Sequence, residues 1–153
     1  MTASISVGQP LASLIVHGYL HHIDITLPPN GDMTPKGTVA MPGVVVNQGD
    51  TIAIHASSAK RWDKRFSKVL YKSGEYNYLE ELGARFVDCE DGFYAKVDRS
   101  SLPTGAVLGT AVVSHMTYSY ITNKGALHLT DAKPLEGGPD KVRGRPGLWD
   151  YRG

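Results

Sequence analysis

The sequence predicts an α+β domain built from short strands and a few short helices. Segments with a two-residue hydrophobic period stand beside others with helical spacing. The 17 glycines and 9 prolines supply many turns. Strands and helices do not alternate regularly and no internal repeat is evident, which argues against a doubly wound parallel sheet. A chain of 153 residues that is 41% hydrophobic and 20% charged suits one globular domain over residues 1–153, large enough to bury a core without staples.

The elements follow in chain order. Leu11, Leu14 and Ile15 fall at helical spacing, Pro10 suits a first helical position and Gly18 a stop, which predicts a helix from about Pro10 to His17. Ile23, Ile25 and Leu27 alternate with Asp24 and Thr26 as a strand, which Pro28-Pro29-Asn30-Gly31 ends. The Gly- and Pro-rich stretch up to Gly49-Asp50 reads as a long loop with a short strand at Val44–Val46. Thr51–Ala56 reads as a buried strand. Ser57 or Ser58 caps a helix running to about Tyr71, with an apolar stripe of Ala59, Trp62, Phe66, Val69 and Leu70. A short helix at Tyr78–Ala84 and a short strand at Phe93–Val97 follow. Beyond the Leu102–Gly105 turn, Ala106–Val113 is the strongest strand, with Gly109 as a bulge or a point of close approach. Ala126–Leu129 is another strand, and from Pro134 onward the chain reads mostly as coil.

Composition excludes several classes. With Cys89 the sole cysteine, neither an internal disulfide nor a cysteine-based zinc site can form, which favours a reducing, cytoplasmic compartment. Cys89 sits in the acidic run Asp88-Cys89-Glu90-Asp91, where neighbouring carboxylates disfavour a thiolate, so it reads as structural. No apolar run approaches the roughly 20 residues of a membrane span, and the N-terminus lacks the pattern of a signal peptide. Phosphate-binding GxxxxGK[ST], GxSxG, HExxH and GxGxxG motifs are absent, so no metal or cofactor is expected.

Four segments together are similar to the ASCH family of the PUA-like superfamily. They are Gln9-Pro10-Leu11-Ala12-Ser13-Leu14-Ile15-Val16-His17-Gly18, Thr51-Ile52-Ala53-Ile54-His55-Ala56-Ser57, Leu102-Pro103-Thr104-Gly105-Ala106-Val107-Leu108-Gly109-Thr110-Ala111, and Lys133-Pro134-Leu135 followed by Val142-Arg143-Gly144-Arg145-Pro146-Gly147-Leu148-Trp149. Their order and spacing span nearly the whole chain, except for the region between Tyr71 and Ser101. The resemblance implies a small PUA-like β-barrel flanked by short helices, with a cleft beside the first helix. Its members are tied to RNA or DNA binding, to RNA cleavage and to amide hydrolysis on a modified nucleoside.

The family's cleft motif departs here. Where the family carries a glycine, a lysine two residues on, glutamate or threonine at plus five and arginine at plus seven, this chain has Gly18, Leu20, Ile23 and Ile25. A one-residue shift brings Asp24 into the acidic place but does not restore the lysine on which amide-hydrolysing members rely. The resemblance therefore implies a catalytically degenerate or rebuilt cleft.

Charge and chemistry are concentrated in a few places. Arg61, Lys64, Arg65 and Lys68 recur at i, i+3, i+4 and i+7, one face of the helix expected there, with Lys60 and Lys72 flanking. Only Asp63 opposes them between Ser58 and Lys72, leaving +5 in a chain of net charge +1. Such a stripe suits a phosphate backbone, whose condensed counterions it displaces; the plain alternative is a solvated helix face. The acidic stretch Glu75–Asp91 would neutralise it if the two pair internally. Near the C-terminus, Lys141, Arg143, Arg145 and Arg152 surround Trp149 and Tyr151, a mixture that grips phosphates and stacks on bases; the resemblance instead implies that Trp149 packs on the barrel. His21 and His22 are adjacent in or near a strand and point to opposite faces, so they do not ligate one metal. One of them, with Asp24, is a candidate to line the rebuilt cleft and move protons. The resemblance turns His55 toward that cleft, and Ser57 and Trp149 are candidates to line it with His55.

The sequence thus favours a nucleic-acid or nucleotide-binding module, with RNA the preferred partner. Phosphate contacts fall to Lys60, Arg61, Lys64, Arg65, Lys68, Arg143 and Arg145, and the cleft to His55, Ser57 and Trp149. A ribonuclease or nucleoside amidohydrolase of the same fold is the alternative, with His21, His22, Asp24 and His55 as candidate catalytic groups. A protein-interaction module using the acidic stretch is a third reading.

Overall fold

A computed structural model describes residues 2–9, 11–26, 32–34, 37–41, 43–58, 86–88, 95–97, 102–119, 121, 124–145 and 147–151. In chain order its elements are β1 (Thr2–Val7), α1 (Leu11–Val16), β2 (His22–Thr26), β3 (Asp32–Thr34), β4 (Thr38–Met41), β5 (Val44–Asn47), β6 (Thr51–Ala56), β7 (Phe86–Asp88), β8 (Ala95–Val97), β9 (Ala106–Ser119), β10 (Lys124–Pro134), β11 (Asp140–Lys141) and β12 (Leu148–Tyr151). The main sheet runs β12-β1-β6-β9-β10-β2, with β11 also paired to β9. It curls as a half-barrel, and the fold is mostly β. Strands β3-β4-β5 form a second sheet and β7-β8 a third. Among the described residues no helix is long and apolar enough to cross a membrane.

Strand β6 organises the main sheet. It lies between β1, to which it is parallel, and β9, to which it is antiparallel. Every residue from Ile52 to Ala56 is buried, because both faces of the strand are covered. Successive side chains alternate sides. Ile52, Ile54 and Ala56 belong to the main core with Ile5, Val7, Ala111, Val113 and Leu127. Ala53 and His55 face the other way. Ala53 shares a register row with Ser4, which in turn pairs with Trp149, and on this face the Trp149 ring meets that of His55.

Helix α1 closes the core side. Its buried run, Ala12 to Val16, packs against β6, β9 and β10. Gln9, 1% exposed, supplies the cap: its Oε1 accepts from Ser13 N at 3.1 Å while its Nε2 donates to Pro103 O at 2.8 Å. The second bond ties the helix start to the turn before β9. At the other end Gly18, with φ +82°, lets Tyr19 N bond Leu14 O at 2.8 Å, so the expected stop is in place. Close contact between α1 and β9 requires Gly109. A Cβ there would stand 2.2 Å from Lys133 O and 2.7 Å from Val16 Cγ1. The ladder between β6 and β9 also shifts register beside Gly109, between Ile54 and His55.

Several sequence expectations need correction. The stretch read as a long loop with one short strand forms the three-stranded sheet β3-β4-β5, in which Val39 pairs with Val46 and both are fully buried. Its glycines mark hairpin turns, Gly37 and Gly43 adopting φ of +85° and +80°. The terminal segment read as coil pairs twice, through β11 to β9 and through β12 to β1. The expected strand 106–113 extends to Ser119, and 126–129 grows into Lys124–Pro134 with two irregularities, the second around Asp131 at φ +50°. The helices expected from Ser57 or Ser58 to Tyr71 and over Tyr78–Ala84, together with Cys89, lie outside the described residues.

Two substitutions test this packing by chemical denaturation. Gly109→Ala is expected to cost about 3 kcal/mol or more, because the new methyl meets backbone that cannot give way. Ser4 is fully buried and, among the described residues, its Oγ has no hydrogen-bond partner, so Ser4→Ala is expected to be neutral or to stabilise by up to about 1 kcal/mol.

Candidate functional site

Parallel strands β1 and β6 end side by side at Val7 and Ala56. An open cleft of ≈ 790 Å³ lies beyond their carboxyl ends, the end at which sheets with parallel pairs commonly receive ligands. Ser6 and Gly8 line it from β1, and His55, Ser57 and Ser58 from β6. The start of β9 contributes Gly105. Strand β11 supplies Lys141, and the segment between β11 and β12 supplies Val142, Arg143, Gly144, Arg145 and Gly147. Among the described residues, three that line it are cationic and none is acidic. Arg143 and Arg145 are exposed.

The arginine segment is held by hydrogen bonds from the sheet. His55 Nε2 lies 2.9 Å from Val142 O; a carbonyl only accepts, so this nitrogen carries the proton. Ser6 Oγ donates to Arg145 O at 2.7 Å and accepts from Trp149 Nε1–H at 2.9 Å. His55 Nδ1 stands 3.2 Å from the same hydroxyl. Backbone closes the set, with Ser6 N bonded to Gly147 O at 3.1 Å. Gly144 lies flat on the imidazole: a Cβ there would come within 2.4 Å of His55 Cε1. Across the base of the segment the Tyr151 hydroxyl donates to Asp140 Oδ2. That bond, followed by burial, raises the Tyr151 phenol above its ordinary value. Arg143 and Arg145 therefore project from a loop clasped on both flanks and between.

The sequence-derived residues are distributed unevenly around this cleft. His55, Ser57, Arg143 and Arg145 all line it. His55 is 3% exposed, and its ring is set between Val142 O and the Ser6 hydroxyl, so it positions the loop. Trp149, expected in the cleft, lies behind it. Its N–H needs a buried acceptor and finds Ser6, while the indole meets the His55 ring edge-on, centroids 5.4 Å apart at 85°. His22 and Asp24 lie on β2 at the far edge of the sheet, with β9 and β10 between them and β6. His21 precedes them and its carbonyl accepts from Leu129 N. None of the three lines the cleft. Their separation follows from the pleat: Ile23 and Ile25 point into the core, so the residues between them face outward. Lys60, Arg61, Lys64, Arg65 and Lys68 lie outside the described residues. Among the described residues no group of three His, Cys, Asp or Glu side chains is arranged to hold a metal.

Sequence reasoning missed Ser6, Gly8 and Gly144 as site residues. Ser4 and Ser6 alternating with Ile5 and Val7 mark a strand with one polar face, a signal present from the start of the chain. Gly144 carries no local signal, since its role comes from a ring 89 positions earlier.

No family model matches the chain, and a search of curated proteins returns no significant match.

The clasp yields a prediction measurable by thermal or urea denaturation. Trp149→Phe keeps the aromatic packing and removes one donor, and is expected to cost about 1 kcal/mol. Gly144→Ala is expected to cost more, about 1–3 kcal/mol, and to shift the His55 ring resonances, because either the ring or the loop must move.

Proposed function

We propose that this protein is a nucleic-acid or nucleotide-binding module, with RNA the preferred partner, and that its cleft receives phosphate groups on the Arg143–Arg145 loop. The observation that carries the reading is the preset loop: two guanidinium groups and Lys141 over an open cleft with no lining carboxylate among the described residues. Guanidinium groups bind phosphate oxygens through paired N–H donors, and fixing the backbone beforehand lowers the ordering cost of binding. Lining hydroxyls at Ser57 and Ser58 and the bare backbone at Gly8, Gly105 and Gly147 allow a sugar or base to approach closely. A volume near 790 Å³ suits a ligand of nucleotide size.

The half-barrel sheet fits a small β-barrel fold, and the four segments support our reading that this barrel is of the PUA-like, ASCH type. The basic segment with Lys60, Arg61, Lys64, Arg65 and Lys68 continues the chain directly from Ser58, a lining residue, and in this reading it extends the phosphate-binding surface. Binding is favoured over hydrolysis because His55, the lining histidine, is buried beneath the loop that it positions and the other candidate catalytic residues sit across the sheet.

Fluorescence anisotropy with a labelled single-stranded oligoribonucleotide checks this. Arg143→Ala and Arg145→Ala are each expected to weaken binding and to flatten the log affinity–log salt slope by about 0.7 for every phosphate that is no longer neutralised. A Cβ at Gly8 meets nothing within 4 Å among the described residues, and Gly8 needs no positive φ, so Gly8→Trp is expected to fill the cleft and block binding while the fold persists. Unchanged affinity in all three variants would contradict the assignment of the cleft.

A further inference from the structure

Three of the six histidines form a row on the outer face of the sheet, away from the cleft residues. Strand register places His115 of β9 opposite His128 of β10, and His128 opposite His22 of β2. The His115 and His128 rings stack with centroids 4.1 Å apart and planes 6° from parallel; His22 and His128 are 6.1 Å apart at 31°. The neighbouring residues Leu127, Leu129 and Ile23 point into the core on the opposite face. Hydroxyls steady the row: Thr117 Oγ1 lies 3.1 Å from His128 Nε2, and Ser114 Oγ lies 3.1 Å from His115 Nδ1 while donating to His128 O at 3.1 Å.

The row is not built for a metal ion. A ligating imidazole points its lone pair at the metal within its own ring plane, and two parallel planes 4.1 Å apart share no such point. It is built to respond to protons. Neutral imidazoles stack as ordinary aromatic rings, but two imidazolium charges at this spacing lie well inside the ~8 Å screening length of physiological salt. The charged groups facing the row from the described elements are Asp24 on β2, two residues from His22, and Lys124 on β10, four residues from His128. Ser114 and Thr117 on β9 are uncharged. On the core side α1 carries no charged residue in its first or last turn. Strand β2 ends the sheet path and is paired to β10.

We propose that the His22–His128–His115 row is an acid-sensitive latch on strand β2: neutral rings hold the strand to β10, and accumulation of protons along the row loosens it. The direction of titration at the central ring agrees. Burial, then the charges of His115 and His22, push His128 below the ordinary histidine value, with Asp24 opposing. The folded form thus takes up a proton less readily than the unfolded chain. The stability linked to His128 is complete above pH ~6.5 and is lost as the pH falls below that toward the folded value.

Hydrogen exchange, corrected for intrinsic rates, tests the latch at pH 7.5 and 5.0. In the unmodified protein the amides of His22–Thr26 are expected to lose protection at pH 5.0 while those of β1 and β6 keep theirs. His128→Gln is expected to abolish that selective loss, and His115→Gln to reduce it. Histidine ring NMR should show His128 protonating below the ordinary histidine range, in a broadened transition. Protection of β2 that is independent of pH, or reduced equally by acid in His128→Gln, would overturn the proposal, as would three rings titrating independently.

Discussion

The geometry of the cleft depends on one small hydrogen-bond cluster, in which His55 and Ser6 hold the carbonyls of Val142 and Arg145. These carbonyls belong to the segment that carries the arginines, and the donors belong to the parallel pair at the centre of the sheet. Buried polar groups are costly when unpaired, so the cluster has a single favourable arrangement. Trp149 shields it from one side and donates to the same serine; Gly144 seals the imidazole face from the other. The result is a loop that is irregular in secondary structure but fixed in position, which is what a binding site on a rigid scaffold requires.

The sheet supplies the conditions for this cluster. Strand β6 is buried on both faces, one committed to the apolar core and the other to His55 and the C-terminal strand. Gly109 lets α1 approach β9 closely and pack on the core face. The pairing of β12 with β1 brings residues from opposite ends of the chain into one row, Ser4 beside Trp149. In this way the half-barrel separates its two chemical surfaces: cations at the carboxyl ends of β1 and β6, histidines on the outer face of β9, β10 and β2.

Much of this is legible in the residues themselves. The helix before Gly18, strand 51–56 and the special status of Gly109 follow from periodicity and from the absence of a side chain where elements must touch. His55, Ser57, Arg143 and Arg145 stand out in the sequence and do line one cleft. What the residues do not reveal is long-range. Adjacency in sequence suggests that His21, His22 and Asp24 join His55, but two intervening strands separate them, and nothing local encodes strand order. Likewise His115 and His128 look ordinary until the register aligns them with His22. The stretch between Pro28 and Asp50 reads as coil when its glycines and prolines are taken as breaks; the glycines are turns of a small sheet whose strands are only three or four residues long.

The loop that carries Arg143 and Arg145 is, on this reading, preset to meet phosphate, and the rest of the sheet holds it there. The most direct measurement is an NMR titration of the arginine Nε–H resonances with a short single-stranded RNA. The Arg143 and Arg145 signals are expected to shift together and saturate, with the histidine row on the outer face undisturbed. Shifts confined to the outer face, or arginine signals that stay fixed while RNA binds elsewhere, would contradict it.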